Sequence, residues 1–248
     1  MTSERTGDVD IAAIGSLLGD RARVAILTRV LSRPESPAGE LARCAGIAPS
    51  TAASHLQKLV DAGLLSVTRK GRLRLYRITT VEVAHAMEAL AVIAPTIPVR
   101  SFRQARDAAA LREARSCYDH LAGRVGVTLH DALLDQRAIR RSSERDYEIT
   151  EKGSDLLSAF DVDVEALRST RRMFARACLD WSERTPHLAG ALGAALLEQF
   201  LERSWVERSD ENRSLSVTAA GREGFRTWFR FDPAQDRTPA VRAVSPSG

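Results

Sequence analysis

The sequence predicts a mainly α-helical chain with small β-hairpins, and three observations predict it. Apolar residues recur at helical spacing through most of residues 11 to 94. An arginine-rich pair of strands closes around Lys70 and Gly71 after the fourth helix. The succession of helix, short strand, polar turn, short strand and helix then returns twice. The 248 residues, 44% of them apolar, suffice for one large or two ordinary domains with cores of their own. No apolar run reaches the length of a membrane span, and the opening MTSERTGDVD lacks the apolar segment of a secretory signal. No membrane partner and a cytoplasmic location are therefore expected. Three scattered cysteines, Cys44, Cys117 and Cys178, make no disulfide framework. The net charge of +4 is too small to point to nucleic acid by itself, so the placement of the charge matters more.

Ile11, Ile14, Leu17 and Leu18, then Val24, Leu27 and Leu31, give two helices separated by the interruption Gly19-Asp20-Arg21. In SPAGELARCAG, Ser36 is expected to cap a third helix, Pro37 to take its first position, Gly46 its exit, and Cys44 to pack in the core. Pro49 opens a fourth helix with the apolar stripe Ala53, Leu56, Leu59 and Val60, stopping at Gly63. Its other face carries Thr51, Ser54, His55 and Lys58, with Ser50 at its start: hydroxyls, an imidazole and an amine that can donate to phosphates and base edges. LLSVTRKGRLRLYRI follows as two strands with Arg69, Lys70, Arg72, Arg74 and Arg77 in nine positions. A further helix from 81 to 94 sets Val83, Met87, Leu90 and Ala91 on one side and ends at the linker APTIP.

Two short helices, a turn, a polar-faced helix and a basic hairpin make a winged helix-turn-helix, in which the helix fits the major groove and the wing neutralises phosphates. Through ELARCAGIAPSTAASHLQKLVDAGLL and GRLRLYRI, residues 11 to 94 resemble the ArsR/SmtB winged-helix transcriptional regulators, over about a third of the chain. The resemblance implies a homodimeric repressor on double-stranded operator DNA, paired through its terminal helices and released by a metal or other inducer. The contacts it implies are Ser50, Thr51, Ser54, His55 and Lys58 on the reader helix and Arg69, Lys70, Arg72, Arg74 and Tyr76 on the wing. The chain departs from the family at Ala48, where a capping Ser is usual. The family's metal sites are unmatched: ELARCAG has no Cys-x-Cys, and Glu82, His85 and Glu88 stand in place of Asp/His pairs.

Beyond the linker, VRSFRQARDAAALREARSCYDHLAGRVG reads as a long helix with Phe102, Ala105, Ala109, Arg112 and Ser116 at helical spacing, suited to dimerisation or simply solvated. Residues 128 to 160 and 191 to 229 then repeat one grammar, with YEITEKG and LSVTAAG opening the second helix of each. The expected division is a DNA-binding domain at 1–95, a sensing and dimerisation region at 96–232 with winged-helix-like units at 100–162 and 163–232, and a disordered tail at 233–248. Ordinary helix-hairpin packing is the other reading of the repeat. The turns SSERD and SDENR mix acids with bases, which favours sensing over further DNA reading.

Two phrases rhyme, CYDHLAG and CLDWSERTPHLAG. Cys117 and His120, three apart, are expected on one helix face, and Cys178 and His187 join them only where the two repeats face each other. Three readings stand: a site for zinc or a similar transition metal, a thiol redox sensor with Arg115 and Arg176 favouring the thiolate, or buried cysteines with satisfied histidines. Trp181, Trp205, Trp228, Phe174, Phe200 and Phe225 concentrate in the last third, as core or as the lining of a small-molecule effector pocket.

The leading function is sequence-specific DNA binding by a transcriptional regulator. An enzyme is disfavoured, with no catalytic residues assigned, because the sequence has no phosphate-cradling Gly loop, paired catalytic carboxylates or nucleophile elbow. The alternative is a winged-helix protein-interaction or accessory module in which DNA binding is secondary.

Overall fold

The computed structural model describes residues 8–235, so the expected tail lies, beyond residue 235, outside the described residues. The chain divides into two compact units, Met1–His85 and Ala86–Gly248. The division falls ten residues before the boundary expected after residue 95, within the helix Val81–Ile93. Its second half belongs with the C-terminal unit because the buried Glu88 pairs with Arg213, and Val92 O accepts from Arg184. The buried side of that helix is accordingly Ala84 and Glu88, while Leu90 is exposed. No helix among the described residues is long and apolar enough to cross a membrane.

In the first unit, α1 (Ile11–Leu18) and α2 (Arg21–Ser32) start where Asp10 and Asp20 accept from Ala13 N and Arg23 N. The strand β1 (Ser36–Pro37) precedes α3 (Ala38–Ala45), α4 (Pro49–Asp61), β2 (Leu65–Lys70) and β3 (Leu73–Ile78), and α5 is Val81–Ile93. The sheet order is β1-β3-β2, antiparallel, with Ser36 opposite Tyr76 and Lys70 opposite Leu73. Ile26, Leu27, Leu41, Leu56, Leu59 and Leu65 are fully buried and make the core. Arg29 and Glu40, 2.5 Å apart, tie α2 to α3.

Three local expectations change. Ser36 does not cap α3, because its main chain pairs with Tyr76 and its hydroxyl donates to Arg33 O, 2.7 Å away. Ala52 rather than Ala53 faces the core from α4. Cys44 is exposed, since α3 docks through Leu41 and Ala42. Ala48 stands at the N-cap of α4 with no side-chain hydrogen bond. Ala48→Ser is therefore expected to raise stability by about 1 kcal/mol, read as a higher urea midpoint. A midpoint that stays or falls would mean the first-turn N–H groups are already satisfied.

The second unit is a duplicated pattern. After α6 (Phe102–Glu113) come the hairpin β4 (Arg115–Cys117) and β5 (His120–Ala122), α7 (Arg124–Asp135), the hairpin β6 (Ile139–Arg141) and β7 (Tyr147–Ile149), and α8 (Glu151–Ala159). A short α9 (Val164–Ser169) leads to the same series: β8 (Arg176–Leu179), β9 (Pro186–Ala189), α10 (Gly190–Glu202), β10 (Val206–Arg208), β11 (Leu215–Val217) and α11 (Ala219–Phe229). Thr150 and Thr218 cap α8 and α11 in the same way, accepting from Gly153 N and Gly221 N. The long helix expected through residue 126 is thus cut at Glu113, and Ser116 and Cys117 are strand residues.

The two repeats are interlocked. Ser116 N donates to Arg213 O and Leu215 N to Ala114 O, so β4 adds to the second repeat's later hairpin. In the mirror arrangement, Tyr147 N donates to Ala175 O and Ala177 N to Arg145 O. Helix α7 packs on β9 and α10 on β5. Gly126 and Gly193 let each helix lie close to the strand before it and to the other repeat: a Cβ on either would lie 2.5 Å from a carbonyl oxygen, of Leu121 and of Leu188 respectively, and 3.7 and 3.1 Å from the Cβ of His187 and of His120 across the repeats. Beneath, Phe160, Phe200, Trp205, Phe225 and Phe229 pack ring on ring in one core that both repeats share. Most of the bulky aromatics of the last third are thus core, and Trp181 is among the residues lining a cleft of about 730 Å³ with Ile97, Leu111 and Arg213.

Candidate DNA-binding face and cysteine-histidine cluster

On α4, Ser50, Thr51, Ser54 and Lys58 are all exposed, and the last three share a face by helical spacing. His55 is half-buried, its Nδ1 3.3 Å from Arg23 Nη1. Arg23 also donates to Leu17 O and Ser16 O, so His55 belongs to the packing of α4 against the α1–α2 corner more than to the open face. Arg69, Lys70, Arg72 and Arg74 are exposed along β2, β3 and their turn, with Arg69 opposite Arg74 in the ladder. Tyr76 is only 4% exposed and takes part in the core, which removes it from the expected contacts. The sequence pattern missed it because Tyr76 follows the exposed Arg74 by two residues on the same strand, and β3 becomes buried only from Leu75 on.

In the second unit the structure brings together Cys117, His120, Cys178 and His187, one pair from each repeat. Each pair sits across a hairpin, Cys117 opposite His120 and Cys178 opposite His187. The expectation that Cys117 and His120 share a helix face is therefore corrected: the ladder, not a helical turn, makes them neighbours. The Sγ atoms are 3.8 Å apart and the two Nε2 atoms 3.2 Å apart. Cys117, His120 and His187 are buried and Cys178 is half-buried.

Three residues the sequence reading passed over, Asp119, Arg172 and Asp180, surround the cluster together with Arg115. His120 Nδ1 lies 3.1 Å from Asp119 Oδ1, and Arg172 holds Asp119 through both guanidinium nitrogens, at 2.5 and 3.0 Å. His187 Nδ1 lies 3.2 Å from Asp180 Oδ2, and Arg115 Nη2 lies 2.9 Å from Asp180 Oδ1. The signal for them was present in the rhyme: both cysteines are followed two residues later by an aspartate. Arg115 is thus matched to Asp180 and stacks on Trp181, so it is not the cation that favours a thiolate.

Burial opposes ionisation of Asp119, but the His120 and Arg172 hydrogen bonds outweigh it and hold its carboxyl at about 2. Burial likewise opposes charge on Asp180, and the facing His187 and Arg115 keep it far below the usual carboxylate range. Against burial, the Asp119 and Cys178 contacts push His120 up to about 9. The hydrogen bond from Cys117, with the two histidines, pulls Cys178 down, while the same bond and burial push Cys117 up.

A helix-turn-helix pair with an exposed polar face and a basic hairpin beside it defines a winged helix-turn-helix protein. Residues 18–68, from the end of α1 into β2, match a helix-turn-helix domain family. Over 216 residues the chain is 43% identical to the uncharacterized HTH-type transcriptional regulator YdfF of Bacillus subtilis (strain 168), covering 87% of this chain and 95% of that one. The chain belongs to the HTH-type transcriptional regulators. That alignment is longer than the first unit and so extends well into the second. Among solved structures, the chain is similar to the homodimeric winged helix-turn-helix domain (fragment 1–100) of Mb0332 from Mycobacterium bovis, a possible ArsR-family transcriptional regulator. Identity there is 28%, over 36% of this chain and 88% of that one, with a TM-score of 0.31. It is also similar to the transcriptional repressor BigR from Xylella fastidiosa, at 24% identity over 35% of this chain and 88% of that one, with a TM-score of 0.32.

Proposed function

We propose that this regulator is a homodimeric repressor that reads a two-fold symmetric operator with α4 and the β2–β3 wing, and that its second unit receives the signal modulating that binding. The observation that carries the reading is the joint exposure of Thr51, Ser54 and Lys58 on α4 and of Arg69, Lys70, Arg72 and Arg74 on the wing. A helix fits the major groove, where hydroxyls and an amine can meet base edges, and the flanking cations position it on the phosphates. Helix α1 supports a dimer: its sequence is IAAIGSLL, yet it buries none of its residues and Ile11 is 75% exposed, leaving an apolar surface for a second copy to cover. The β6–β7 hairpin supports a role other than DNA reading. Arg140 of β6 faces Glu148 of β7 at 3.2 Å, which cancels charge that a phosphate-binding wing would keep.

Arg72→Ala and Arg74→Ala are each expected to weaken binding to every duplex tested and to lower the slope of log affinity against log salt by about one. Fluorescence anisotropy across a salt series reads both quantities. Unchanged affinity in both variants would take the wing out of the interface.

A further inference from the structure

We propose that Cys117, His120, Cys178 and His187 form a tetrahedral site for a thiophilic d10 cation, zinc(II) first among them, which joins the two repeats of the second unit. All four ligand atoms lie within 4.8 Å of one another. A tetrahedral zinc, with bonds of about 2.3 Å to sulfur and about 2.0 Å to nitrogen, sets its two sulfurs about 3.8 Å and its two nitrogens about 3.3 Å apart. The observed separations are 3.8 Å and 3.2 Å. Adjacent sulfurs on a square-planar ion would be only about 3.3 Å apart.

The surroundings are those of a ligand set. A metal-binding imidazole is normally oriented by a carboxylate on its other nitrogen. Here both histidines turn Nε2 inward and face an aspartate with Nδ1, and both aspartates are held by an arginine: Asp119 by Arg172, Asp180 by Arg115. His187 Nδ1 is in ion-pair range of Asp180 without hydrogen-bond alignment, a slack that a bond at Nε2 would take up. The donors select the ion. Two sulfurs and two imidazoles do not suit calcium or magnesium, which take oxygen. Two thiolates balance a divalent charge, so the filled site is neutral, as a buried one needs to be. Protein supplies all four positions, which leaves none open for a substrate and makes this a binding site, not a catalytic one. Ion uptake releases the protons of the thiols and of any protonated imidazole.

Each hairpin contributes one cysteine and its cross-strand histidine, and Gly193 of α10 brings the second repeat within reach of the first, since a Cβ there would stand 3.1 Å from His120 Cβ. Occupancy therefore bears on how the repeats are held together. In naming the effector class for the second unit, the proposal rests on the sensing reading above. The site itself is measured without DNA, so its failure leaves DNA binding standing, and loss of DNA binding leaves the site standing.

The full chain, expressed with zinc in the medium and purified without chelator, is expected to hold about one zinc per chain by elemental mass spectrometry. Cobalt(II) in its place should give the strong visible absorption of tetrahedral cobalt and a thiolate-to-cobalt charge-transfer band. Cys44→Ser, altering the exposed cysteine outside the cluster, should keep both signals. Cys117→Ser/Cys178→Ser should lose the metal about tenfold or more and abolish the charge-transfer band. The band's intensity counts the thiolates, so the wild-type spectrum decides the ligand set even where the double variant does not fold. The proposal is overturned by wild-type protein without metal, by a cobalt spectrum lacking the charge-transfer band, by a Cys117–Cys178 disulfide in the protein as purified, or by a folded double variant that holds as much zinc as wild type.

Discussion

Asp180→Ala is expected to destabilise the protein by about 3–5 kcal/mol, because it leaves a buried guanidinium without its counter-charge. Both partners of the Arg115–Asp180 pair have fully buried side chains. Asp180 also accepts from Gly123 N at 2.7 Å, from Ser182 N at 2.9 Å and from Glu183 N at 3.2 Å, so the change orphans backbone donors as well. Arg115 keeps lesser partners, Leu111 O and Ser182 Oγ at 3.1 Å and the face of Trp181, none of which carries a negative charge. Urea unfolding reads the loss as a lower midpoint at unchanged slope. The pair's own net worth is a separate quantity, since burying two charges is itself unfavourable. Arg115→Met/Asp180→Ala is therefore expected to recover part of the loss, while the backbone donors of Gly123, Ser182 and Glu183 stay unpaired. A single variant within about 1 kcal/mol of wild type would mean that water reaches Arg115 and that the pair is not buried as described.

The first unit was legible in the sequence because its punctuation is local. Pro49 opens α4, Gly46 and Gly63 take left-handed conformations after α3 and α4, and Gly71 turns the wing between strands rich in branched residues. The hairpins β4–β5 and β8–β9 were not legible. Their strands are three or four residues long, and the first continues an Ala- and Arg-rich run that has every propensity for helix. What makes β4 a strand is remote: Ser116 and Ala114 hydrogen-bond to the main chain around Arg213 and Leu215. Residues with the right chemistry, Cys117, His120, Cys178 and His187, stood out by their rhyme. Their geometry did not, because it depends on α7 crossing to β9 and α10 to β5, and no spacing within either phrase encodes a crossing. Arg115 illustrates the same limit. It looked like a cation beside a cysteine, and tertiary packing commits it to an aspartate 65 positions away.

Phe160→Ala should have an effect as large as that of Asp180→Ala, about 3–5 kcal/mol, through a different cause. Phe160 ends α8, in the first repeat, and is fully buried. Its ring centroid lies 5.1 Å from Trp205, 5.2 Å from Trp228 and 5.3 Å from Phe229, all in the second repeat, with Arg203 stacked over it at 4.5 Å. Truncation leaves a cavity walled by large rings. Flat rings already packed edge to face have few ways to close such a gap, so the penalty should approach the upper part of the range. Phe160→Leu keeps most of the volume and should lose only about 1.5 kcal/mol. Denaturant midpoints give the series, and the near-ultraviolet circular dichroism of Trp205 reports whether the rings keep their arrangement. Equal losses for Ala and Leu would show that shape, not filled volume, limits this core. A loss below about 1 kcal/mol for Ala would mean that Phe160 is not the residue through which the first repeat reaches the aromatic core of the second.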